Sequence, residues 1–414
     1  MNVSRRNFLT SGLGVLGVVL SGPQIFALAA QAASIAPRAG GKERILVVVQ
    51  MGGGNDGLNT VIPCGMGAYY QARPQLAIQP EQVLPLTGQI GLHPSMSGFA
   101  DLCKQGKLAV IQAVGYPNPN RSHFRSMEIW QTAQPDRIAD TGWLGRYLDL
   151  ADTGTAGGAE HLFPAVNAGP LLPKTLSASK VIVPSVAGVA DFRFRTDPRY
   201  ADDRNAQVAA FTDIYSSFDL QRPHVDLLRK VGLDAREASD FLTRSVRSYK
   251  GTVAYPGNSF GDGMKFIAQM IAGGVNSRIY SIGLDSFDTH ANQSRKQGTL
   301  LKQLSDGLAA FQKDLEAHQL DRDVIVLCFS EFGRRVSENA GRGTDHGTAG
   351  PVFVLGSPVK GGVYGDHPSL TDLDAGDLKF KIDFRTVYAT ILDRWLGADS
   401  RQILGGNFDS LAFV

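Results

Sequence analysis

Ile45-Leu46-Val47-Val48-Val49-Gln50, followed at once by Met51-Gly52-Gly53-Gly54-Asn55-Asp56-Gly57, is the stretch that decides the fold class. Six residues apolar on both faces, ending in a glycine-rich turn, read as a strand buried between two layers rather than one with a wet side. The same pattern recurs at Leu108–Val114, Val181–Val183, Arg278–Leu284, Val324–Phe329 and Val352–Leu355. Between these runs lie helical patterns, with Met264, Ile267, Met270 and Ile271 on one face and Leu300, Leu301, Leu304, Leu308, Phe311 and Leu315 on another. Strands alternating with helices predict an α/β fold with a central, mainly parallel sheet covered on both sides. Residues 197–250 are charged and poor in strand signals, which predicts a helical insertion.

The N-terminus reads as an address. Ser4-Arg5-Arg6-Asn7-Phe8-Leu9 and the apolar segment after it match a twin-arginine export signal. Small residues at Ala30-Gln31-Ala32 place cleavage near Ala33, with Ala27-Leu28-Ala29 as a rival site. The apolar run is shorter than the roughly 20 residues a spanning helix needs, so no stable membrane anchor is expected. The organisation is therefore a signal over 1–33 and one α/β domain over 41–414, exported to the periplasm or beyond with the twin-arginine translocase as a transient partner. Without Arg5 and Arg6 the 41 basic residues fall to 39, matching 39 acidic ones, and no nucleic-acid partner is implied. Three cysteines exclude a disulfide scaffold, while a Cys64–Cys103 bridge stays open.

Ionisable residues gather beyond the strand ends, where open α/β sheets bind ligands. Gly52–Gly57 also satisfies G-x-G-x-x-G, which makes a nicotinamide oxidoreductase a rival reading. The segment Leu58-Asn59-Thr60-Val61-Ile62-Pro63 that follows has no helical period to open on a pyrophosphate, which demotes it. The glycines are read instead as a tight turn presenting Asp56, the alternative being a plain Asn-Asp-Gly turn. Arg121-Ser122-His123-Phe124-Arg125 follows the second strand: Ser122 is either a nucleophile at a helix start or an N-cap, and the arginines can hold an anion. Asp285-Ser286-Phe287-Asp288-Thr289-His290 places Asp288 and His290 on one side of an extended chain, as two ligands of one cation require. Glu331 and Arg334 end a further strand, and Asp345-His346 precede the last.

Taken in order, Met51–Asn59, Arg121–Phe124, Thr141-Gly142-Trp143-Leu144-Gly145-Arg146, Asp288–His290, Ser330–Arg334 and Gly343–Gly347 resemble the motif series of the domain of unknown function 1501 family. The resemblance runs from about residue 44 to Asp383-Phe384-Arg385 and Phe408. It implies a twin-arginine-exported protein, often encoded beside another exported family and so with an exported protein partner, and an alkaline phosphatase-like or sulfatase-like fold. That superfamily holds two divalent metals with Asp and His at strand ends. Carried over, Asp56 resembles a first-strand ligand, Ser122 the nucleophile, Asp285 with His290 the spaced pair of one metal, and His346 its completing histidine. Two departures stand out: Glu331-Phe332 replaces an Asp-His pair, leaving a carboxylate without an imidazole, and the Asp285–His290 interval is one residue longer than the usual spacing. The expectation is a metal-dependent hydrolase of phosphate or sulfate esters, the alternative a noncatalytic binding protein with a structural metal. Ser122 and His123 are the catalytic candidates and Asn55, Arg121 and Arg334 the substrate-binding ones. Asp56, Asp285, Asp288, His290, Glu331, Asp345 and His346 are the candidate ligands of a divalent zinc, manganese or calcium ion.

Overall fold

The structure, a computed structural model, describes residues 44–151, 163–188, 196, 199–217 and 223–414. The segment read as an export signal, with its expected cleavage site, lies outside the described residues. Eight strands form the main sheet: β1 (Ile45–Met51), β2 (Leu108–Gly115), β3 (Ala165–Asn167), β4 (Ile279–Leu284), β5 (Val324–Phe329), β6 (Gly350–Leu355), β7 (Gly362–Tyr364) and β8 (Ile382–Asp383). Their order is β7-β2-β6-β5-β1-β4-β3, with β8 pairing β2. The β1–β4, β1–β5, β3–β4, β2–β7 and β2–β8 pairs are parallel. The sheet is thus mixed and mostly parallel, flanked by helices, as the strand patterns predict.

The two-faced apolar pattern has a direct cause. Along β1, Val47, Val49 and Met51 enter one core, and Leu46 and Val48 enter the other. In β5, Val324, Val326 and Cys328 face the first core and Ile325, Leu327 and Phe329 the second. The first core is closed by helices α1 (Ser97–Lys104), α6 (Ser259–Ala272) and α7 (Gln293–Ala317). The second is closed by α2 (His123–Thr132), α3 (Trp143–Ala151) and α8 (Phe384–Thr390). Within the segment read as helical, α4 (Ala201–Ser216) and α5 (Pro223–Ser248) pack on each other, and α5 packs on α6. Among the described residues no helix is long and apolar enough to cross a membrane.

Two expectations are corrected and one open alternative is decided. β6 runs antiparallel to both neighbours, β2 and β5. Val181–Val183 forms no strand, because the backbone N–H groups of Ser179, Lys180 and Val181 donate to the Asp149 carboxylate. The sheet is bordered there by β3, whose Asn167 bonds Pro184 O and Val186 N–H instead. Cys64 and Cys103 are both free, and burial pushes the Cys103 thiol up to about 11.

Candidate functional site

The antiparallel course of β6 is what assembles the site. The loops after parallel strands β1, β4 and β5 leave the sheet at its carboxyl edge, and a reversed strand begins at that same edge. Residues 343–347, which precede β6, therefore meet residues 52–56, 285–290 and 330–334. Gly53 and Gly54 allow the close approach: both have positive φ (113° and 70°). A Cβ at Gly53 would lie 2.5 Å from Asp288 N, and one at Gly54 would lie 2.2 Å from the Phe332 ring. Ser330 ties the layers together, its Oγ accepting the Asn55 N–H at 2.9 Å and lying 2.7 Å from Met51 O.

Three imidazoles and one carboxylate converge there. His290 Nε2 lies 2.9 Å from His346 Nε2 and 3.0 Å from Asp288 Oδ1. His346 Nε2 lies 3.2 Å from the same oxygen, and His123 Nε2 lies 3.5 Å from Asp288 Oδ2. His123, Asp288 and His346 offer donor atoms all within 4.8 Å of one another. Each ring is fixed through its other nitrogen. His123 Nδ1 meets Glu331 Oε1 at 2.8 Å, His290 Nδ1 meets Asp345 Oδ1 at 3.2 Å, and His346 Nδ1 meets the Arg121 carbonyl at 2.8 Å. An acceptor facing each Nδ1 assigns the proton to Nδ1 and leaves an Nε2 lone pair turned inward. Lone pairs this close repel unless a cation or proton lies among them. His123 Nε2 is buried with no hydrogen-bond partner.

These donors fit a metal ion. Tetrahedral bonds of about 2.0–2.1 Å place ligand atoms about 3.3 Å apart, close to the contacts that link His123 and His346 to Asp288, the three residues whose donors all lie within 4.8 Å, and His290 adjoins them through His346 and Asp288 Oδ1. Oriented imidazoles backed by carboxylate or carbonyl acceptors are the usual second layer of such sites. The Glu331 hydrogen bond raises the His123 pKa despite burial, while burial lowers that of His346. Burial alone would raise Asp288, but the Arg334 hydrogen bond and charge, with His346 and His290, hold it at about 2. Asn339, then His290, keeps Asp345 below its ordinary value against a smaller effect of burial.

Other sequence-derived candidates are placed elsewhere. Asp56 is fully buried in an ion pair with Arg73 at 2.5 Å, and it also accepts from Gln293 and the Leu58 N–H, so its carboxylate serves the fold rather than the cluster. Asn55 is buried against Ser330 and Thr60. Arg121 pairs with Asp377, and only its carbonyl reaches the cluster. Arg334 is buried and donates to the carbonyls of Gly53, Gly54, Phe287 and Thr344 as well as to Asp288 at 2.6 Å, which leaves it no free edge for a substrate anion. Ser122 is the exposed N-cap of α2, without a side-chain cap bond. The ring beside it, His123, is the one that enters the cluster. Glu331 does lack an adjacent imidazole, but α2 supplies one in His123, so the carboxylate stands behind a histidine rather than as a lone ligand. Sequence does not single out Arg73 or Gln293: an acid as deeply buried as Asp56 demands a cation, but its depth is seen only in the structure.

Beside the cluster opens a cavity of about 610 Å³, lined by His123, Phe124, Lys174, Asp285, Asp288 and Glu331 among others. None of Ser122, Asn55, Arg121 or Arg334 lines it. Burial, then the Glu331 charge, raises the Asp285 pKa.

A protein family described as "Protein of unknown function (DUF1501)" matches residues 43–410. No curated protein matches the chain. Among solved structures it is similar to the PsFucS1 sulfatase from Pseudoalteromonas sp., with 11% identity over 94% of this chain and 75% of that one and a TM-score of 0.40. It is also similar to a protein of the alkaline phosphatase superfamily from Vibrio parahaemolyticus, with 10% identity over 84% and 71% of the two chains and a TM-score of 0.31.

Proposed function

The chain belongs to the family of unknown function DUF1501, and for this member we propose a metal-dependent hydrolase of phosphate or sulfate esters acting outside the cytoplasm after twin-arginine export. One observation carries the reading: three histidines, each locked through Nδ1, turn Nε2 toward the two oxygens of Asp288. Two nitrogens and one carboxylate, from His123, His346 and Asp288, with a third imidazole, His290, beside them, suit zinc first and manganese second, and suit calcium poorly because calcium prefers oxygen throughout. A divalent cation bound there supplies Lewis-acid polarisation of an ester and a water acidified toward neutral pH. The chain's own residues do the rest. Glu331, Asp345 and the Arg121 carbonyl hold the three rings in one tautomer. Arg334 steadies Asp288, and the adjoining cavity receives the ester. Elemental analysis of the purified protein, with hydrolysis of chromogenic esters before and after chelation, tests this. About one ion per chain and chelator-sensitive turnover are expected, whereas a metal-free, inert protein overturns it.

The exposed position of Ser122, away from the cavity, favours a second reading in which the ion is structural and the loops bind a ligand or an exported partner. Bound metal without turnover of any ester selects it. Export is tested separately: Arg5→Lys with Arg6→Lys traps precursor in the cytoplasm if the pair is read by the translocase, and a normal exported yield refutes that.

A further inference from the structure

The cavity beside the histidine cluster is lined by four carboxylates, Glu128, Asp285, Asp288 and Glu331, against a single ammonium, Lys174. Three of the four are compensated. Glu128 lies between Arg125 at 2.8 Å and Lys174 at 2.9 Å, which also occupies the lysine. Asp288 has Arg334, and Glu331 accepts from Gly53 N–H at 2.9 Å and meets His123. Asp285 has neither ion pair nor hydrogen bond among the described residues. It lies directly over the chain at Gly52, where a Cβ would come within 2.1 Å of its Oδ1. The wall thus carries an unbalanced negative charge and no free cation to offset it. Phe124, 91% exposed, lines the same cavity together with Met127 and offers apolar surface to an ester substituent.

Resting on the hydrolase reading, we infer that this cavity selects tetrahedral esters bearing one negative charge, a sulfate monoester or a phosphate diester, over a dianionic phosphate monoester, and that Asp285 sets the choice. Two charges on the substrate would cancel a divalent ion and then meet Asp285. One charge leaves a net attraction, and the second substituent of a diester, or the body of a sulfate ester, lies against Phe124 and Met127.

The test compares p-nitrophenyl sulfate, bis-p-nitrophenyl phosphate and p-nitrophenyl phosphate on the metal-loaded full chain at about pH 8, where the phosphate monoester is doubly charged. At least one singly charged ester is expected to exceed the dianion about tenfold in kcat/KM, and which of the two does so tells sulfate from diester. Asp285→Asn is expected to raise the dianion's kcat/KM about tenfold at unchanged metal content, with Asp285→Glu keeping the original preference. Preference for the dianion in the parent overturns the inference and leaves the hydrolase reading standing, as does loss of metal in Asp285→Asn, which would make Asp285 a ligand. Failure to cleave any of the three by protein that holds its metal brings down the hydrolase reading, and the inference with it.

Discussion

Replacing Glu331 by glutamine separates charge from shape at the buried carboxylate behind His123. The side chain keeps its volume. Its carbonyl oxygen can still accept from Gly53 N–H and His123 Nδ1, now at 2.9 and 2.8 Å, and its amide can face Ser330 Oγ, now 3.0 Å from Oε2. What is lost is the negative charge that makes the imidazole a stronger donor. Loss of such a backing partner weakens metal binding about 10–100-fold, or about 1.4–2.7 kcal/mol. The pH dependence has a definite sign. His123 has a raised pKa chiefly through Glu331, so in the parent protons compete for Nε2 from the alkaline side of the ordinary imidazole range, near 6.5. Removing the charge lets that pKa fall. The variant should bind more weakly at about pH 8, and the gap should narrow toward pH 6 as parent affinity falls first. In metal-free protein the same raised pKa stabilises the fold fully below about 6.5 and is lost as pH rises through the folded-state value, a component that Glu331→Gln abolishes. Competition with a chromophoric chelator at the two pH values measures the effect on binding. Equal affinity of variant and parent at both would refute the claim that Glu331 acts through His123.

His290→Ala and His346→Ala should each lower metal content, and chelation should lower the melting temperature of the parent far more than that of either variant, because an ion bound only to the native state stabilises it by mass action. Parallel chelator shifts in all three would contradict this. Arg73→Met should destabilise by about 3–5 kcal/mol in denaturant unfolding, since it strands the Asp56 charge in a fully buried site; a loss below about 1 kcal/mol would show that Asp56 is neutralised another way. Ser122→Ala should leave metal content unchanged and ester turnover within about threefold, as a cap without a cap bond predicts. A drop of several orders of magnitude in turnover would restore Ser122 as nucleophile.

The layered fold was legible because burial on both faces leaves a chemical trace: no polar residue interrupts Val47–Val49 or Val324–Phe329. Strand direction leaves none. A six-residue apolar run looks the same in either sense, so β6 reads as parallel from its residues, while its true direction is set by pairing with β2 and β5. The site followed the same division. That histidines and acids cluster at strand ends is visible along the chain, and so are His290 and His346. Which of two neighbours, Ser122 or His123, turns inward depends on how the first turn of α2 is rotated, which residue type does not encode. The Asp56–Arg73 pair was hidden because a buried acid and a ligating acid share a letter, and only the guanidinium 17 residues on distinguishes them.

The missing imidazole after Glu331 shows where reading along the chain fails most. In sequence, Glu331-Phe332 leaves a carboxylate with no histidine beside it, from which the resemblance implies a second metal poorly held or absent. In space, His123 arrives from 208 residues away and takes Glu331 as its backing group, while the Phe332 ring lies tilted beside it with centroids 4.9 Å apart. The phenylalanine therefore walls the cluster rather than interrupting it: its ring lies 4.8 Å from that of His346 as well. A small side chain there would open space beside two imidazoles that Glu331 and the Arg121 carbonyl hold through Nδ1. Position 332 thus contributes to the site by packing, and the imidazole that meets Glu331 comes from another element, α2.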